Sequence, residues 1–396
     1  MKSRILTRKL AMGAALGAAV LAAVPLAAFG ASDHTSADTI LVGSIAGTTG
    51  AYGSTGVAMV NGAKLAVADV NAKGGVLGKK LALESYNDQA SATLSSQLYQ
   101  KLVSHGAVAV LGSGDTGPAT AAMAQRLKVP NIGAVDDAGL TIYPKGPSQP
   151  PFDYVWSWGL NTFAWGASAA HYAQKHCTAL AILHDPSSYG LGGEAGVKLA
   201  YKGSSKKIVL DDAISEDWST GATVGLTNEI NKIKSAGADC VVVWLTPQDT
   251  ARFMQTLKTS GVHLTVIGND EINADPTFSG LAKSAGNGAI GAQITSSMKP
   301  NAQLASFQKR YKAQFHVDAT PFAVANYDAV LMLAAVIKKA GSTDPGKLKD
   351  GFNAVRNFKG LQGTVSFSQQ NHATLTEKQL TLVKYNAAQD KWLPTK

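Results

Sequence analysis

Residues 39–75, TILVGSIAGTTGAYGSTGVAMVNGAKLAVADVNAKGG, decide the fold. TILVGSIA (39–46) is a continuous apolar run of strand length, followed by a Gly-rich loop through Tyr52. Ser54 or Thr55 can then cap a helix with Val57, Val60, Ala63, Val67 and Val70 on one face, ended by Gly74-Gly75. The same unit recurs. Strand 81–86 (LALESY) precedes helix 91–105, strand 107–111 (AVAVL) precedes helix 118–128, and strand 131–135 follows Pro130. Strands alternating with helices make a parallel sheet covered by helices on both faces.

The Pro-rich passage YPKGPSQPPFDY (143–154) marks a boundary, and a second series follows it. Helix 161–175, strand 178–183 (TALAIL), helix 190–201, strand 207–212, helix 222–236, strand 239–244 (DCVVVW), helix 248–259 and strand 264–268 make a second doubly wound lobe. Helices 301–315 and 322–340 and strands 363–367 and 379–386 are assigned to neither lobe by periodicity. A length of 396 residues suits two α/β domains. With 45% apolar residues, 16% charged and 40 glycines, the chain is neither disordered, a coiled coil nor a disulfide scaffold.

The formal charge of +9 includes Lys2, Arg4, Arg8 and Lys9; without them 32 basic residues face 27 acidic ones, or +5. That surplus is scattered, as at Lys79-Lys80, Lys206-Lys207 and Lys338-Lys339, so no phosphate-tracking stripe exists and no nucleic-acid partner is expected. The four cations precede LAMGAALGAAVLAAVPLAAF (Leu10 to Phe29) and small residues around Ala28 and Gly30, the three zones of a secretory signal peptide cleaved near residue 30. The alternative is a retained anchor, since the run is about as long as the ~20 residues that span a bilayer. Pro25 and the Ala/Gly content favour the signal, and with no Cys after the run a lipid anchor is not expected.

Cys177 and Cys240 are the two cysteines. No Cys-x-x-Cys or Cys/His cluster accompanies them, so a metal site is not expected. In doubly wound sheets the first and third strands are commonly neighbours; Cys177 immediately precedes the first strand of the second lobe and Cys240 lies at the start of the third. A Cys177–Cys240 disulfide is expected; the alternative is two separate buried thiols.

GSGDTG (Gly112–Gly117) satisfies the dinucleotide pattern, with Asp136 about the right distance beyond. It ends the third strand rather than the first, and Pro118 follows at once. The plainer reading is a tight turn offering helix N-terminal N–H groups to an anion. No cofactor is expected. DTG at Asp115–Gly117 has no second copy, the eight histidines are unpaired at i, i+4, and no G-x-S-x-G elbow occurs. Nothing points to a catalytic residue. Polar and aromatic residues instead follow strand ends: Tyr52, Ser113–Thr116, Ala134–Asp137, Asp185–Tyr189, Leu245–Gln248 and Asn269–Glu271. Ligands of open α/β sheets bind at those ends, although the same residue types are also preferred helix caps.

Several segments together resemble one family. ILVGSIAGTTGAYGSTGVAMVNGAKLAVADVNAKGGVLGKKLAL, AILHDPSSYGLGG, INKIKSAGADCVVVW, ANYDAVLMLAAVIKKAGS and FKGLQGTVSF are similar, in order, to blocks of the periplasmic solute-binding proteins of branched-chain amino acid ABC importers, VNAKGGVLGKKL being the most specific. The resemblance implies the type I periplasmic binding fold: two doubly wound lobes joined by three crossovers, 38–158 plus 288–366 and 159–287 plus 367–396, closing by a hinge on a solute. It implies a monomer outside the cytoplasm that delivers an amino acid, branched-chain or related, to a membrane permease; an aromatic acid or other small metabolite is the runner-up. An NAD(P)-dependent enzyme using Gly112–Gly117 is the alternative from another class.

By the same resemblance, the contact positions are Tyr52, Ser113, Gly114, Asp115, Ala134, Val135, Asp136, Tyr189, Leu245, Thr246 and Asp270. Ser113 and free N–H groups would take the solute carboxylate, Asp270 its ammonium, and Tyr52 and Tyr189 would wall the cleft from opposite lobes. Asp136 stands where the family has Thr or Ser, with Asp115 nearby. A second carboxylate ~4 Å from the solute's would cost about 4 kcal/mol at an effective dielectric of 20. Either Asp136 turns away or the solute is not a simple α-amino acid. Trp156, Trp158 and Trp244 fit either an aromatic cleft or hinge packing.

Overall fold

The computed structural model describes residues 38–50, 53–112, 116–133, 138–217, 222–223, 226–274 and 276–395. They contain two large sheets. The first has six parallel strands in the order Ala373–Leu375, Val155–Leu160, Asn131–Gly133, Ala109–Leu111, Thr39–Ala46, Lys80–Asn87. The second has seven: Lys391–Pro394, Leu380–Asn386, Ile290–Ile294, Thr265–Gly268, Cys240–Trp244, Ala179–His184, Lys207–Ala213. It is parallel apart from the two antiparallel pairings that add its last two strands. Two doubly wound α/β sheets are thus the architecture the sequence implies.

Position in the sheet accounts for the strand patterns. Central strands covered on both faces are continuous apolar runs, so every residue of Cys240–Trp244 is buried. Lys207–Ala213, at the edge, alternates half-buried with exposed residues. The first long helix, Gly53–Ala72, ends where Gly74 and Gly75 take φ of 97° and 81°, the left-handed region that glycine enters without penalty. It packs on the apolar helix Pro321–Ala340 so closely that a Cβ on Gly62 would strike the Ala323 carbonyl.

Cys177 and Cys240 form a disulfide with Cα atoms 6.0 Å apart. Strands Ala179–His184 and Cys240–Trp244 are neighbours with Cys240 opposite Leu180, which brings Cys177 beside it. Asp239 accepts from the N–H groups of Thr178 and Ala179 at 2.8 and 2.9 Å, tying the same two strand ends.

Sheet membership departs from the expected segment boundaries at two strands. Ile290–Ile294 pairs with Thr265–Gly268 and Leu380–Asn386 in the second sheet, although 288–366 was expected in the first lobe. Ala373–Leu375 pairs with Val155–Leu160 in the first sheet, although 367–396 was expected in the second. In each case the chain completes the sheet it is already beside before crossing. Helix 222–236 begins at Leu226 instead, and strand 363–367 shortens to Thr364–Val365, paired with Phe358–Lys359.

Candidate functional site

Three turns at the carboxyl edge of the second sheet carry residues singled out by the sequence. After Ala179–His184, Asp185 Oδ1 accepts from Ser187 N at 2.6 Å, and Ser187 Oγ accepts from Tyr189 and Gly190 N–H groups. That cap starts the helix Ser188–Tyr201 and sets Tyr189 in its first turn. After Cys240–Trp244, Thr246 Oγ1 caps the helix Pro247–Ser260 by accepting from Asp249 N at 3.2 Å. The Leu245 carbonyl accepts from Asn269 Nδ2 at 2.7 Å, and its side chain is buried in the apolar core. After Thr265–Gly268, Asn269 Oδ1 accepts from the N–H groups of Glu271 and Ile272.

Ser187, Thr246 and Asn269 are therefore occupied as caps. Asp270 is different. It is only 8% exposed, its Oδ1 accepts from the Tyr189 hydroxyl at 2.6 Å, and it lines a cavity of about 730 Å³. Burial raises its carboxyl from 3.8 to about 6, against the opposing pull of the Tyr189 hydroxyl. Tyr189 in turn packs on Trp244, ring centres 5.7 Å apart. Asp185 is fully buried and also raised to about 6 by burial, but does not line the cavity.

The cavity draws on both halves of the chain. Ser54 and Val57 come from the first turns of helix Gly53–Ala72, Trp165 from helix Thr162–His176, Gln293 from the end of Ile290–Ile294, Phe322 from helix Pro321–Ala340, and Gln362 from a late turn. Among the described residues lining it there is no Lys, Arg or His, and the two acids are Asp270 and Asp318. Asp318 is exposed and paired with Lys312 at 2.9 Å, so Asp270 is the buried charge of the site. A mostly apolar chamber with one desolvated carboxylate is suited to a small solute bearing a cationic group, whose arrival would restore the charged form of Asp270.

Of the expected contacts, the structure brings Tyr189 and Asp270 together; Leu245 and Thr246 are held in core and cap and do not line this cavity. Tyr52, Ser113, Gly114, Asp115, Ala134, Val135 and Asp136 lie outside the described residues. Trp165, Gln293, Phe322 and Gln362 were not anticipated; for Gln362 the signal was the family-like block FKGLQGTVSF. Trp156, Trp158 and Trp244 are core residues: Trp156 stacks on Phe352 and His372, and Trp158 Nε1 donates to Asp328 at 2.9 Å. Within Gly112–Gly117, the Thr116 hydroxyl donates to Asp88 Oδ2 at 2.7 Å. A buried carboxylate beside Thr116 disfavours a pyrophosphate at that residue. The cluster Cys177, Cys240 and Asp239 has its two sulfurs in the disulfide, which removes the thiolates a metal would need.

Known proteins share this construction. A Leu/Ile/Val-binding protein homolog of Brucella abortus is 27% identical over 370 residues, covering 89% of this chain and 92% of its own. The crystal structure of a type 1 periplasmic binding protein from Bordetella pertussis superposes with a TM-score of 0.81 at 23% identity, covering 90% of this chain and all of that one. An ABC-transporter solute-binding protein from Rhodopseudomonas palustris, solved with 3,4-dihydroxybenzoic acid, gives 0.73 at 21% identity, covering 90% and 96%. The periplasmic binding protein family model matches residues 39–390, nearly the whole described length. With two doubly wound sheets, a cavity walled from both and that match, the chain belongs to the periplasmic binding protein family.

Proposed function

We propose that this protein is the extracytoplasmic substrate-binding component of an ABC importer, taking an amino acid, branched-chain or related, and passing it to a membrane permease. The observation that carries this reading is Asp270: a buried, cavity-lining carboxylate held by Tyr189, with no basic residue beside it among the described lining. An α-ammonium is the natural partner, and a hydrogen bond to a charged group is worth roughly 1.5 to 3 kcal/mol. The name of the Brucella relative supports an amino acid.

In this reading the two sheets are the cores of two lobes that close on the solute. Their divisions are 38–158 plus 288–366 and 159–287 plus 367–396, adjusted so that Ile290–Ile294 joins the second and Ala373–Leu375 the first. Tyr52, Ser113–Asp115 and Ala134–Asp136 supply the remaining contacts, the chain is exported by its first 30 residues, and it works as a monomer. A second reading, an aromatic acid as solute, is favoured by the aromatic wall of Trp165, Tyr311 and Phe322 and by the dihydroxybenzoate bound to the Rhodopseudomonas protein.

Thermal unfolding of residues 31–396 against amino acids and aromatic acids tests both. A solute at 100 times its dissociation constant stabilises by roughly 2.7 kcal/mol. A response to leucine that Asp270→Ala abolishes supports the first reading; a response to dihydroxybenzoate alone replaces it with the second.

A further inference from the structure

The turn between the short paired strands Phe358–Lys359 and Thr364–Val365 brings Gln362 to the cavity wall. Gln362 is 3% exposed, and its two amide atoms are treated unequally. Nε2 donates to the Pro321 carbonyl at 2.6 Å, and since a carbonyl only accepts, that bond fixes which amide atom is nitrogen. Oε1 is buried with no hydrogen-bond partner among the described residues. A buried amide oxygen without a donor is a cost the fold carries, and a solute N–H or O–H would relieve it.

The turn is held from beneath by Asp328, on helix Pro321–Ala340. Asp328 Oδ2 accepts from Leu361 N at 2.7 Å, from Gln362 N at 3.3 Å and from Trp158 Nε1 at 2.9 Å. Asp328 itself is fully buried and does not line the cavity. The backbone of Gly360 lies so close that an added Cβ would run into the Trp158 ring and stand 2.6 Å from Asp328 Oδ2. From the other side, Ser296 Oγ donates to the Gln362 carbonyl at 3.2 Å. Ser296 follows the second-sheet strand Ile290–Ile294, whereas Trp158 lies on a first-sheet strand, so this one turn is anchored to elements of both sheets.

The geometry points to Gln362 as a solute-contacting residue whose amide oxygen accepts a second donor of the solute, and to Asp328 as the residue that positions it. This deepens the proposed function and rests on the reading that the cavity holds the solute. Asp270 takes the solute's charge and Gln362 an uncharged or secondary N–H or O–H, so the preferred solutes carry two separated donors. Asp328 acts at one remove, through the turn.

A double-mutant cycle tests this, with L-leucine and 3,4-dihydroxybenzoate as probes in calorimetric titrations of residues 31–396. Gln362→Met keeps the side chain's length and removes its amide; Asp328→Ala removes the clamp. Each should weaken binding of the responding probe at least about ten-fold, and the double variant should lose little more than the worse single, because both act through one contact. Asp328→Asn retains an acceptor oxygen and should recover part of the loss. Gly360→Ala, which displaces the turn while leaving the carboxylate in place, should reproduce Asp328→Ala, and covers the case in which that variant fails to fold. Amide exchange at 361 and 362 should quicken in Asp328→Ala while exchange in 240–244 stays slow. Additive losses, or Gln362→Met binding as wild type, would overturn the inference and leave the solute-binding reading standing. A wild-type protein silent to both probes would sink that reading and the inference with it.

Discussion

The Tyr189 hydroxyl and the Asp270 carboxylate, on the first and third of three turns at one edge of the second sheet, form a 2.6 Å hydrogen bond that fixes the acid at the cavity wall. Without it, burial would be opposed only by a backbone hydrogen bond to the carboxyl. Tyr189→Phe should therefore raise the Asp270 titration point further above about 6, as read by carboxyl NMR. It should also weaken an ammonium-bearing solute by roughly 1 to 2 kcal/mol, five- to thirty-fold in affinity. An unmoved titration would mean that the hydroxyl does not hold the acid in solution.

The pH dependence of stability has a sign set by four buried groups. Burial raises Asp185, Asp270 and Asp328 from 3.8 to about 6, so for each the unfolded chain gives up its proton first and stability falls as pH rises from about 4 through 6. His372, lowered from 6.5 to about 4 by burial, acts the other way: stability is lost as pH falls below 6.5. Three acids outweigh one imidazole between pH 7.5 and 5.5. Urea unfolding should give on the order of 1 kcal/mol more stability at pH 5.5 than at 7.5, and the gap should shrink in Asp270→Asn. A chain less stable at pH 5.5 would contradict the burial of these acids.

The Cys177–Cys240 bridge closes a separation of 63 residues. Loop-closure entropy for that length corresponds to roughly 4 kcal/mol, with measured values more often 2 to 4. Urea unfolding with and without reductant should differ by that amount, and Cys177→Ala/Cys240→Ala should match the reduced protein. Equal midpoints would show that the bridge adds no stability.

Helix Ser188–Tyr201 lies against Trp244 with no room for a methyl group: a Cβ at Gly193 would overlap the indole. Gly193→Ala should cost more than about 2 kcal/mol, as overpacking does, and by tilting that helix should weaken solute binding together with stability. Thermal unfolding and titration of one sample decide it; unchanged values in both would mean that the helix shifts freely.

The first series of alternating strands and helices was legible because its central strands are buried on both faces and read as unbroken apolar runs. Strand Val155–Leu160 was not, because VWSWGL follows directly on a Pro-rich passage and its tryptophans suggested a hinge or a cleft. The first-sheet strand Ala373–Leu375 is too short for periodicity to register. At the site, Asp270 and Thr246 look alike in sequence, each a polar residue after a strand. Only the fold reveals that Thr246 is committed to capping Asp249 N and that Asp270 is left for the cavity. Gln362 was illegible as a contact, since what places it is a carboxylate 34 positions earlier in the chain.

Strand Ala373–Leu375 finishes the first sheet, and Leu380–Asn386 and Lys391–Pro394 finish the second. Both sheets are thus completed by residues 373–394. A chain cut at residue 370 lacks an edge strand of each sheet, so neither half can reach its final form without residues 373–394. One short late segment therefore governs both halves at once, so a truncation before residue 373 disables the two sheets together.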